Sequence, residues 1–116
     1  MYKLIILFGQ PLDPMKFTAG WQAFLKMAEQ MPGLRSESVS LIENVIYGEN
    51  VPYKIHEFHF DDRAALEAAL ASDAGQQAGA WLHQFTGGNF SLLTAPHQVA
   101  IAKEFIQKGK GRRRSP

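Results

Sequence analysis

The hydrophobic pattern along the chain divides into six successive segments, each of which predicts an element. Residues Tyr2 to Phe8 are apolar on both alternating sets, with Tyr2, Leu4, Ile6 and Phe8 on one and Ile5 and Leu7 on the other. That reads as a buried first strand covered on both faces. Asp13-Pro14 then marks a helix start, because aspartate caps free N–H groups and proline is tolerated at the first helical position. Phe17, Trp21, Phe24, Leu25, Ala28 and Met31 follow at helical spacing, and Pro32-Gly33 ends the run. This predicts a first helix reaching about Met31.

Two strands are predicted next, over Leu34 to Tyr47 and Tyr53 to Phe60, joined around Gly48, Asn50 and Pro52. The first starts irregularly, since three serines lie between Arg35 and Ser40. Asp61-Asp62 opens a second helical region over Arg63 to Ala71. Ser72-Asp73 caps a further stretch whose stripe is Ala74, Ala78, Trp81, Leu82 and Phe85, and Gly87-Gly88 closes it. Phe90 to Ala95 makes a last short strand, stopped by Pro96.

The order is β-α-β-β-α-β. Units of this kind predict an α+β, ferredoxin-like fold: a four-stranded antiparallel sheet with the helices on one face. The other face would lie bare in a single copy, although the first strand is apolar on both sides. A bare apolar sheet face is an association surface. A homodimer packed sheet to sheet through the open face is therefore expected. Residues 1–95 form the predicted domain, and residues 96–116 a C-terminal extension.

Composition adds limits. The chain of 116 residues is 46% hydrophobic and 20% charged, which fits one globular domain. It contains no cysteine, so disulfides and thiolate metal sites are excluded, and a cytoplasmic location is expected. The run from Leu4 to Phe8 is far short of the roughly twenty apolar residues of a membrane span, and no membrane role is expected. Five of the 12 Lys and Arg lie between Lys108 and Arg114, leaving 7 against 11 acids in the rest. The folded part is therefore acidic and the tail basic. Gln98 to Gln107 has apolar residues at near-helical spacing, which suggests a further helix.

Short motifs in this order resemble the EthD-like family of the dimeric α+β barrel superfamily. They are Asp13-Pro14, Phe17 and Trp21 at the helix start, and Met31-Pro32-Gly33-Leu34 at its exit. Ser72-Asp73-Ala74-Gly75-Gln76 and Phe85 before Gly87-Gly88 complete the likeness, which spans Met1 to Ala95. The resemblance implies a homodimer with a small-molecule pocket between sheet and helices, and a place in oxidative or degradative metabolism. Relatives in the superfamily include cofactor-independent monooxygenases, cyclases and lactone isomerases, so no cofactor is expected. Family members commonly carry a histidine on the first helix and an aspartate on the second. The matching positions here are Phe24 and Trp81. Neither side chain transfers protons, so the family's acid–base pair is missing.

Two readings follow. In the first, the protein is a cofactor-independent enzyme, monooxygenase-like or isomerase-like, or an accessory factor, with Trp21, Phe24, Tyr53, Trp81 and Phe85 walling a pocket for a hydrophobic or aromatic small molecule. Its proton-transfer groups would be Glu57 and His59, which share a strand face with Tyr53 and Ile55. His56 and Lys54 fall on the opposite face with Phe58 and Phe60. In the second, the protein is a non-catalytic ligand-binding or assembly protein that has lost the acid–base pair. Other chemistry is not expected. His56 and His59 face opposite sides of a strand, and no helical histidine pair exists, so no metal site is predicted. The acidic stretch from Ile55 to Asp62 argues against nucleic acid on the sheet.

Overall fold

The computed structural model describes residues 1–100. Seven elements appear in chain order: β1 (Tyr2–Phe8), α1 (Pro14–Ala28), β2 (Ser36–Leu41), β3 (Lys54–Phe60), α2 (Arg63–Ala71), α3 (Asp73–Thr86) and β4 (Phe90–Pro96). The strands form one antiparallel sheet in the order β2-β3-β1-β4. This is the predicted ferredoxin-like arrangement, with the second helical region split at Ser72.

Capping explains the helix starts. The Asp13 carboxylate accepts from the N–H groups of Met15 and Lys16, with Pro14 at the first turn. Asp62 accepts from Ala65 N–H, and the Ser72 hydroxyl from Gly75 N–H. Ser72 is both the last cap of α2 and the first of α3, and it makes the sharp corner between them. Gly75 sits in that corner so tightly that a Cβ would lie 2.2 Å from the Ala69 carbonyl oxygen. Gly87, at φ +66°, closes α3 in the left-handed conformation that glycine adopts without strain.

Several boundaries differ from the sequence expectation. α1 ends at Ala28 instead of about Met31. β2 ends at Leu41, well short of Tyr47, and residues 42–53 form a loop. Val45, Ile46 and Tyr47 look like strand residues, but they have no neighbouring strand, and Ile46 and Tyr47 stand fully exposed. Strand propensity records fit to a pleated, half-buried surface, which is absent there. β4 takes in Pro96, which pairs with Tyr2; on an edge strand the missing N–H costs little. Residues 98–100 carry no helix, and the rest of the expected C-terminal helix and the basic tail lie outside the described residues.

Helices cover one face of the sheet. Leu4, Ile6, Phe8, Phe58 and Phe60 from the strands meet Phe17, Phe24 and Ala28 of α1, Leu66 and Ala69 of α2, and Ala78 and Leu82 of α3. The aromatic rings interlock: Phe8 lies edge-on to Phe17 at 5.1 Å, and Phe24 edge-on to Phe58 at 6.1 Å. The other face carries Lys3, Ile5 and Leu7 of β1, Ile55, Glu57 and His59 of β3, and Leu93 of β4. The register places these residues side by side, and no helix covers them. Among the described residues no helix is long and apolar enough to cross a membrane.

Candidate functional site

Strand β3 separates two groups of polar side chains, because its alternation sends Lys54 and His56 under α1 and Glu57 and His59 to the helix-free face. Phe58 and Phe60, both fully buried against the helices, fix which set is which.

On the helix-free face, Lys3 Nζ lies 3.5 Å from the Glu57 carboxylate, and the Ser38 hydroxyl reaches both Glu57 and His59. The His59 ring packs edge-on to His97 at 4.7 Å. Burial, then His97, lowers the His59 pKa, while Glu57 opposes the shift. Glu57 and His59 are neighbours as expected, but they are not under the helices where Phe24, Trp81 and Phe85 lie. Tyr53 does not join them either. It precedes β3, outside the strand alternation, and packs edge-on to Phe17 at 5.3 Å on the helix side.

Under α1 the aromatic residues come together. Phe24 is 3% exposed and touches His56, Phe58 and Phe85. Trp81 stacks on Phe85, but its N–H turns toward α1 and donates to the Gly20 carbonyl at 2.8 Å. Gly20 allows this approach: a Cβ there would lie 2.6 Å from the Phe85 ring. The two positions that lack the family's acid–base residues therefore serve as packing between α1, α3 and the sheet.

The titratable group in this layer is His56, which is fully buried. Its Nδ1 faces the Trp21 Nε1–H at 3.3 Å, and its Nε2 lies 2.7 Å from Glu37 Oε1. Indole N–H only donates, so Nδ1 must accept, and the ring proton sits on Nε2 and is donated to Glu37. Burial pushes the His56 pKa down to about 4, with the Lys54 ammonium adding to the effect and Glu29 opposing it. The imidazole is thus neutral at pH 7, held in one tautomer. Glu37 is a quarter exposed, so its carboxylate has one side on His56 and another open to solvent. A hydrogen bond with Glu37, and then its charge, raises the Glu29 pKa above the ordinary 4.5.

Lys54 completes the group. Its side chain is 9% exposed, its ammonium lies 3.4 Å from the Trp21 ring centroid, and burial lowers its pKa. Across the ladder on the same face stand Val39, opposite His56, and Leu41, opposite Lys54; both are about half exposed because β2 is an edge strand. The result is a half-exposed apolar strip along β2, beside an indole, a cation and a histidine-bound carboxylate. Sequence reading places His56 and Lys54 on this face but does not assign them the chemistry. Glu37 escapes it because its partner is 19 residues away.

A separate cavity of about 560 Å³ opens beyond Phe17 and Phe85, beside Gly9, Leu12 and Asn89. Its carboxylate, Asp13, caps α1 through Oδ1. No group of three or more possible metal ligands exists among the described residues.

No family model matches the chain. It is 22% identical over 102 residues to an uncharacterized 11.0 kDa protein of the thcB-thcC intergenic region of Rhodococcus erythropolis, covering 87% of this chain and 99% of that one. Its fold is similar to the crystal structure of an EthD family protein from Bacillus halodurans, with a TM-score of 0.79, 29% identity, and coverage of 84% and 99% of the two chains. It is also similar to SnoaB, a cofactor-independent oxygenase from Streptomyces nogalater, with a TM-score of 0.64, 13% identity, and coverage of 86% and 95%. Further structures that share the fold are described as dimeric ferredoxin-like proteins. By fold and by these likenesses the chain resembles the EthD-like family of the dimeric α+β barrel superfamily.

Proposed function

We propose that this chain is a small-molecule enzyme of oxidative or degradative metabolism that moves a proton at the Glu37–His56 pair without a cofactor. The observation that carries the reading is the buried, neutral His56, which donates its one ring proton to a carboxylate that solvent can reach. Glu37 is then the base, and His56 is a positioning residue that holds it. Glu29, whose pKa Glu37 raises, stands beside it. His56 also touches Phe24, so the sheet supplies an imidazole next to the helix position that lacks one.

Oxygenases, cyclases and isomerases of the cofactor-free kind share a first step, removal of a proton from an acidic carbon. Glu37 would take that proton, leaving a carbanion delocalised into an aromatic or carbonyl system. With oxygen, such a carbanion gives a ketone: one CH2 group and one O2 yield one C=O group and one water. The likeness to a protein described as a cofactor-independent oxygenase favours oxygen as the co-reactant. Anthrone is a suitable probe, since its CH2 lies between two rings. The expected result is oxygen uptake with anthraquinone formation. Tight binding of anthrone with no turnover would instead favour the non-catalytic ligand-binding reading, which the fully packed Phe24 supports.

The helix-free face is proposed as the seam of a homodimer, in keeping with the dimeric structures of the same fold. Glu57 and His59 would then belong to the subunit interface and not to a substrate pocket. Leu93 is 45% exposed on that face. Leu93→Asp is expected to shift sedimentation from dimer toward monomer while leaving the far-ultraviolet spectrum unchanged. A dimer that tolerates this charge would place the seam elsewhere.

A further inference from the structure

Lys54 is nine-tenths buried, with no counterion among the described residues. Among the described residues, no carboxylate lies within ion-pair reach of its ammonium, and the salt bridges there involve Lys3, Arg35 and His56. Among the described residues its ammonium meets the faces of Trp21, at 3.4 Å, and Phe17, at 5.5 Å. A lysine this buried is almost always paired, because taking an ammonium out of water costs more than contact with a ring returns. An incoming anion would supply the missing charge. The floor beside it is apolar, with Leu41 directly across β2 and Val39 next along the same face.

We propose that Lys54 anchors the oxyanion of a flat aromatic ligand, a carboxylate or a phenolate, whose ring lies against Trp21, Val39 and Leu41. Lys54 and His56 are two positions apart on one strand face, about 7 Å. An oxyanion held at Lys54 therefore leaves the far side of a ring at the Glu37 carboxylate. The opposite orientation would press the anion against Glu37. The inference rests on the reading of this strip beside the Glu37–His56 pair as a ligand groove, but not on turnover.

Calorimetric titration at pH 7 with naphthoate and with its neutral amide tests it. The wild-type chain is expected to bind naphthoate at least tenfold more tightly than naphthamide. Lys54→Met, which keeps the aliphatic packing, is expected to bind both about equally, and Lys54→Arg to keep the preference. Naphthol separates the two oxyanion sources: ionisation of the bound phenol at lower pH than in water points to phenolates, and its absence to carboxylates. Equal affinity for naphthoate and amide in the wild type, or a preference that survives in Lys54→Met, overturns the anchor while leaving the groove a ligand site. If neither probe binds, as when a partner subunit fills the groove, both the anchor and the ligand reading fall. Loss of turnover in a Glu37 variant with the preference intact would show the two roles to be separate.

Discussion

Replacing Glu37 by glutamine is expected to cut anthrone turnover by roughly 10²-fold or more, within the range a positioned base contributes. The substitution removes the base but keeps a carbonyl oxygen to receive the His56 Nε2–H, so the fold and anthrone binding should be retained. Glu57→Gln and His59→Ala supply the contrast. Both residues lie on the helix-free face, beside Lys3 and Ser38, and their loss should leave the rate per folded dimer close to wild type. Steady-state oxygen uptake with all three variants decides between the two faces of β3. A Glu57 or His59 variant that loses turnover while Glu37→Gln keeps it would return the chemistry to the pair expected from sequence.

The second large effect is on stability. His56 has an ordinary pKa of 6.5 and one of about 4 in the folded chain, so between these values the unfolded chain binds more protons. Stability must then fall as pH drops through this window, by about 3 kcal/mol in full. His59 is lowered too and contributes in the same direction, so the comparison that isolates His56 is with His56→Gln. Guanidinium unfolding at fixed protein concentration, at pH 7 and pH 4, should show a loss about 3 kcal/mol smaller in the variant. An equal loss in both proteins would mean that His56 is not buried neutral.

Much of the fold was legible because local chemistry agrees with it. Asp13-Pro14, Asp62 and Ser72 mark helix starts in the sequence and cap them in the structure. β1, apolar on both sides, announced a sheet that needs two covers. The β2–β3 connection was not legible, since Val45, Ile46 and Tyr47 carry strand propensity without a strand to pair with. The site was half legible. Alternation along β3 separates His56 from His59, but choosing the functional face requires knowing that Phe58 and Phe60 mark the helix side. Glu37 and Trp21 meet His56 only through tertiary folding, at separations of 19 and 35 residues, and no local pattern records that. Phe24 and Trp81 are legible as departures from a family pattern, whereas the imidazole beside Phe24 comes from another element.

The proton transfer proposed at Glu37 requires His56 to be a neutral, singly oriented imidazole bound to it. Long-range ¹H–¹⁵N correlation spectra of the imidazole nitrogens, recorded from pH 8 down to pH 4, observe this directly. The expected result at pH 6 is a His56 with a protonated Nε2 and a bare Nδ1, titrating only near pH 4. A proton on Nδ1, or an imidazolium at pH 6, would contradict it.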